Sequence, residues 1–159
     1  MRTKGFTLIE LMIVVAIVAF LSMIAVPNFM RYIAKAKRTE AYMNLGSIYT
    51  AEKMYWAEHG CYTNKLAGDQ GAGWKPEGYS GGGAQERYHY TYGFCDGKEG
   101  ENYFTGKLGT AISNLKLSKA DNNSFLAIAA GDIDGDGKLD VIGINDKHDI
   151  VILQDDLAE

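Results

Sequence analysis

A short polar stub, Met1–Gly5, is followed by an apolar run of 21 residues, Phe6 to Val26, in which only Thr7, Glu10 and Ser22 are polar. At about 1.5 Å per residue, a helix of that length reaches about 30 Å, the thickness of a bilayer core. The run therefore predicts a membrane-spanning helix rather than part of a soluble core. Past Pro27 the polarity changes but the helical pattern continues. Ala41, Leu45, Ile48, Tyr49, Tyr55 and Trp56 recur at three- and four-residue steps as an apolar stripe. Gly60, directly after His59, can take the left-handed cap conformation. One helix is predicted over residues 6–59, with Pro27 and Gly46 as places where it bends. Residues 61–87 are glycine-rich and read as a connector. Tyr88, Tyr90, Tyr92 and Phe94 then alternate with smaller or polar residues, which predicts a half-buried strand, and Asn102–Leu108 predicts a second. Phe125–Ala130, Leu139–Ile144 and Ile150–Leu153 are short apolar runs separated by turn residues, hence strands of an antiparallel sheet. The fold class is α+β: a long N-terminal helix, membrane-spanning in its first half, packed on a small antiparallel sheet.

Glu10 does not suit a plain anchor. A lone carboxylate in lipid costs roughly 2.5–3.5 kcal/mol on insertion scales. Phe6, Ile13 and Val14 beside it are apolar and Thr7 is a weak hydrogen-bonder, so its partner is expected from elsewhere. A cut between Gly5 and Phe6 would free an ammonium about 6 Å away along the same helix, or on a neighbouring one. A secretory signal peptide would have a shorter apolar stretch with its cleavage site after it. Here the polar stub comes first, so the apolar segment is expected to be kept.

The string Lys4-Gly5-Phe6-Thr7-Leu8-Ile9-Glu10, with Pro27 further on, resembles the class III signal of type IV prepilins and the related pseudopilins, over about residues 1–60. The resemblance implies a pilin fold with a leader at 1–5, a long helix at 6–59 whose membrane-spanning and polymerising segment is 6–26, and a globular domain at 60–159. It implies cleavage between Gly5 and Phe6 by a prepilin peptidase, N-methylation of Phe6, and assembly roles for Phe6, Glu10 and Pro27, with Glu10 pairing to the N-terminus of an adjoining subunit. It also implies a helical homo-oligomeric filament, most like a type IVa pilus, raised by a platform protein and a cytoplasmic ATPase. The precursor would sit in the inner membrane and the product in an extracellular pilus serving adhesion, twitching motility or DNA uptake. A pseudopilin of type II secretion, in a periplasmic pseudopilus, is the alternative. A membrane-tethered calcium-binding adhesin or enzyme comes third, because a mere anchor gains nothing from Glu10. Arg31, Lys35, Lys37 and Arg38 outnumber Arg2 and Lys4, and a literal positive-inside count would keep the C-terminal domain in the cytoplasm. That count does not govern long translocated domains, and the resemblance implies a cytoplasmic leader.

Composition adds limits. With 159 residues, 47% hydrophobic and 23% charged, the chain suits one membrane helix and one small domain. Loss of Arg2 and Lys4 with the leader takes the net charge from −4 to −6, which argues against nucleic-acid binding by the domain. Cys61 and Cys95, in an exported domain, are expected to form a disulfide tying the helix end to the first strand. Such a bridge closes a loop of about 34 residues and contributes roughly 3–4 kcal/mol. It also leans the reading toward a pilin over a pseudopilin.

The densest chemistry is Asp132-Ile133-Asp134-Gly135-Asp136-Gly137-Lys138-Leu139-Asp140. Alternate aspartates on a chain that glycines allow to curl present oxygens to one point, as a hard cation requires. The expected ligands are Asp132, Asp134, Asp136, Asp140 and the Lys138 backbone carbonyl, holding a structural Ca²⁺, with the Lys138 side chain pointing away. Gly143 stands where an EF-hand has its bidentate glutamate, so the loop is closer to the DxDGDGxxD loops of integrin-type and dockerin-like sites. An acidic hairpin turn is the plain alternative. Catalysis is not expected. His59, His89 and His148 are scattered, no GxSxG, HExxH or CxxC occurs, and Gly81–Gly83 lacks the lysine and helix of a phosphate loop. Aromatic residues along the helix read as packing.

Overall fold

The computed structural model describes residues 5–158; Arg2 and Lys4, which the sequence reading assigns to a leader, lie outside the described residues. One long helix, α1, runs Leu8–His59, and the chain divides into two compact units inside it, between Ile33 and Ala34. In the first unit every residue from Gly5 to Ile33 is exposed, Phe6 to 82%. This stretch is long and apolar enough to cross a membrane, and its most apolar window has nothing buried within the chain. Pro27 does not end the helix, although its missing N–H leaves the Met23 carbonyl without its usual donor. Ser22 is satisfied locally, its hydroxyl donating to the Val18 carbonyl at 2.8 Å.

The second unit begins at Ala34, where burial begins. Ala34, Ala41, Leu45 and Ile48 form the buried stripe of α1. The stripe then continues to Glu52, not to Tyr55 and Trp56 as the spacing predicts: Tyr55 is half-buried and Trp56 exposed. The helix stops as expected, with Gly60 at φ 74° and its N–H donating to the Trp56 carbonyl at 2.8 Å.

Six strands follow: β1 Thr91–Gly93, β2 Tyr103–Phe104, β3 Lys119–Ala120, β4 Phe125–Gly131, β5 Asp140–Asn145 and β6 Ile150–Gln154, with a short 3-10 helix at Ile112–Leu115. They make one antiparallel sheet in the order β2-β1-β4-β5-β6, with β3 beside the start of β4. The α+β class read from the sequence holds. The last three strands fall where the apolar runs place them, whereas the tyrosine-rich segment pairs over only three residues. Thr91 and Gly93 between the rings are buried as well, so strand β1 is fully and not half buried. Tyr88, Tyr90, Tyr92 and Phe94 all enter the core under α1.

Parity sorts the two faces of the sheet. Phe125, Ala127 and Ala129 of β4 and Ile142 and Ile144 of β5 join the α1 stripe. Ile128 and Ala130 of β4 and Val141 of β5 face the other way, onto Leu115 and Ile112 of the 3-10 helix. Polar stitches run along one flank of α1: Asn44 Nδ2 donates to Tyr92 Oη at 3.0 Å, and Trp74 Nε1 to Ser47 Oγ at 2.6 Å.

Cys95 follows Phe94 and so takes the opposite parity, packing beside the cluster of Leu115, Ile128 and Ala130 on the face away from α1. Cys61 comes just after Gly60, at the end of the helix that covers the first face. Both are free, half-buried thiols, and the expected Cys61–Cys95 bridge is corrected accordingly.

Glu52 is the unusual member of the helix stripe. It is 0% exposed, its Oε2 accepts the Thr63 N–H at 3.2 Å, and its Oε1 has no hydrogen-bond partner. Burial pushes its carboxyl from an ordinary 4.5 up to about 7, against the opposing Thr63 hydrogen bond. The fold therefore favours the protonated form. That stability is fully present below pH 4.5 and is lost as the pH rises through about 7. Chemical denaturation of the detergent-solubilised chain should show a loss between pH 5 and pH 8 that Glu52→Gln removes, a difference of roughly 1–3 kcal/mol at pH 8. Equal pH dependence in the two proteins would refute this account of Glu52.

Candidate functional site

Two places concentrate polar chemistry, one at the start of α1 and one at the β4–β5 loop. Gly5, Phe6 and Thr7 precede the first helical turn in no regular structure, so the Gly5–Phe6 bond lies in exposed, non-helical chain. Thr7 caps the helix. Glu10 Oε2 accepts the Thr7 N–H at 2.8 Å and the Thr7 hydroxyl at 2.7 Å, while the Glu10 N–H donates to Thr7 Oγ1 at 3.3 Å. This is a capping box, which satisfies donors that a helix start otherwise leaves open and sets a carboxylate against the positive end of the helix dipole. The expectation that Glu10 finds no partner nearby is thereby corrected. The threonine-x-x-glutamate spacing ahead of an apolar run was the signal for it.

The second place joins β4, which ends at Gly131, to β5, which starts at Asp140. Gly135 at φ 88° and Gly137 at φ 91° curl the loop inward, a conformation other residues enter at a cost. Asp132 accepts the Gly135 N–H at 2.7 Å and the Gly137 N–H at 3.0 Å. Asp134 accepts the Asp136 N–H at 3.1 Å, and Asp136 accepts the Lys138 N–H at 2.7 Å. The Lys138 side chain leaves the loop and reaches the Ala158 carbonyl at 3.3 Å.

Asp132, Asp134 and Asp136 come together, but Asp140 does not join them. The fourth carboxylate is Asp156, and one oxygen from each of the four lies within 4.8 Å of the others. Asp140 has the parity of Ile142 and Ile144, so it turns into the core under α1. There it is 0% exposed and fully engaged. Arg38 donates to it through Nη2 at 2.5 Å and Nε at 3.0 Å, and Tyr90 Oη donates at 2.6 Å. The same Arg38 binds Asp155. Lys37 Nζ donates to the Ile133 carbonyl at 2.5 Å, so α1 holds the loop as well as the strand behind it. Asp156 Oδ2 accepts the Ile133 N–H at 3.2 Å. Burial raises the Asp156 carboxyl above its ordinary range, the Ile133 N–H opposes this, and the charges of Asp134, Asp136 and Asp132 add to the rise. Asp155 is held low by its Arg38 bond.

The histidines serve structure. His89 Nδ1 pairs with Glu40 Oε2 at 2.6 Å, His148 lies against Tyr49 with ring centroids 4.4 Å apart, and His59 stacks on Tyr55 at 4.1 Å.

Comparison with known proteins follows this division of the chain. Residues 1–26 match the family described as the prokaryotic N-terminal methylation motif. The chain is 51% identical over 63 residues to the type IV major pilin protein PilA of Myxococcus xanthus strain DK1622, taking in 40% of this chain and 29% of that protein. It is 44% identical over 59 residues to the type IV major pilin protein PilE of Neisseria gonorrhoeae, which covers 37% of this chain and 35% of that one. It is 50% identical over 48 residues to the type IV major fimbrial protein FimA of Dichelobacter nodosus, 30% of this chain and 31% of that one. The chain thus spans about a third of the length of these relatives. The similarity to these type IV pilins lies in the N-terminal segment. The relatives are named as pilins and fimbrial proteins and not as enzymes, in keeping with the absence of catalytic motifs.

Arg38 is the charge on which the loop region depends. Arg38→Leu leaves Asp140 buried without a counter-ion, which costs about 3–5 kcal/mol when one partner of a buried pair is removed. Unfolding by denaturant should register a loss of that size, and a variant as stable as the parent would show that Asp140 needs no cation.

Proposed function

We propose that this protein is the structural subunit of a type IV pilus. It is made as an inner-membrane precursor, cut between Gly5 and Phe6 by a prepilin peptidase, methylated on Phe6, and polymerised through α1 into an extracellular filament. The observation that carries the reading is the first unit itself: a long apolar helix with its side chains exposed and one carboxylate at its start. Apolar surface on that scale needs lipid or other copies of the same helix to cover it. The methylation motif and the pilin relatives support the same reading. The exposed Gly5–Phe6 bond, ahead of the first helical turn, suits a peptidase that needs extended substrate. A platform protein and a cytoplasmic ATPase would drive polymerisation. The filament would serve adhesion, twitching motility or DNA uptake. Preference over a secretion pseudopilin now rests on the relatives and no longer on the cysteines.

In the filament, Glu10 exchanges its bond to Thr7 for the ammonium that processing creates on a neighbouring Phe6. Glu10→Leu should therefore leave insertion and cleavage intact while reducing surface filaments at least tenfold, scored by electron microscopy and mass spectrometry of the sheared fraction. Normal filaments from the Glu10→Leu strain would remove the basis for this role.

A further inference from the structure

We propose that Asp132, Asp134 and Asp136, together with Asp156, bind one Ca²⁺ ion, and that this ion latches the C-terminal segment onto the β4–β5 loop. Asp156 separates such a site from an acidic turn. It comes from beyond β6, is only 6% exposed, and its Oδ1 has no hydrogen-bond partner. A buried carboxylate oxygen left open among three other carboxylates is costly for a fold to keep. A divalent cation is the one partner that satisfies all four at once.

Ligand chemistry selects the ion. The four oxygens lie within 4.8 Å of one another, close enough to share one cation. Ca²⁺ takes six to eight oxygens in flexible geometry, whereas Mg²⁺ demands a near-ideal octahedron, which four carboxylates on a curled loop and a separate segment do not make. The Lys138 carbonyl and water bring the shell to the six or more oxygens that Ca²⁺ takes.

The ion's role follows from what flanks Asp156. Arg38 holds Asp155 on one side, and Leu157 packs against the core on the other. The ion ties the residue between them to a loop that Lys37 already fastens to α1. Removing it leaves four carboxylates repelling one another and takes one tie from the C-terminal segment.

The test uses the full chain in detergent and needs no filament, so its outcome is independent of the assembly experiment. Calorimetric titration should give one Ca²⁺ per chain, with Mg²⁺ at least tenfold weaker. Asp134→Asn, at an exposed position, and Asp156→Asn should each weaken Ca²⁺ binding at least tenfold. Asp140→Asn should change it by less than about threefold, because Asp140 belongs to Arg38. A serine carboxypeptidase, which needs no metal, should trim the chain back past Asp156 faster in chelator than in Ca²⁺. No binding at millimolar Ca²⁺, or binding that survives Asp156→Asn, overturns the proposal.

Discussion

The chain does not bury the first half of its long helix. From Phe6 to Ile33 the side chains are exposed, and at roughly 25 cal/mol per Å² of apolar surface no small domain can offset that much contact with water. Something outside the chain must supply the apolar surroundings, and the polar groups of the segment must be satisfied without help from solvent. Ser22 and Glu10 both meet that condition through neighbours on the same helix, Val18 and Thr7. Glu10 can thus enter lipid with its carboxylate already bonded.

At Ala34 the same helix changes surroundings. Its stripe turns onto a sheet whose central strand, β4, carries alanines at 127 and 129 and so leaves room for the large rings of Tyr90, Tyr92 and Phe94. Charge reinforces the join. Lys37 and Arg38, one turn past Ala34, reach the loop, β5 and the C-terminal segment together. Basic residues that enter the sequence reading only as a count for membrane orientation are thus partly structural.

What could be read from the sequence was what repeats at short range. The apolar run, the Gly60 cap and the strands β4 to β6 each declare themselves within a dozen residues. The errors arose where one residue had two plausible duties. Asp140 fits the spacing of a cation loop, but it is also the first residue of a strand whose inward positions are Ile142 and Ile144, and strand parity prevailed. Asp156 belongs to no local pattern, because its place depends on where the last strand ends. Cys95 was paired with Cys61 by counting, while the alternation of Tyr92 and Phe94 already assigned it to the far face. Glu52 occupies an apolar position in a helical stripe, which spacing alone does not disclose.

The position of Arg38 has a mechanical meaning. In the filament proposed above, the pull on a subunit arrives along α1, and this guanidinium is one of the attachments that pass it to the sheet. Its grip divides the load between β5, an interior strand paired on both sides, and the last residues of the chain. Force applied to the stem is thereby spread into the middle of the sheet, so that the sheet resists as a whole and not by peeling from an edge.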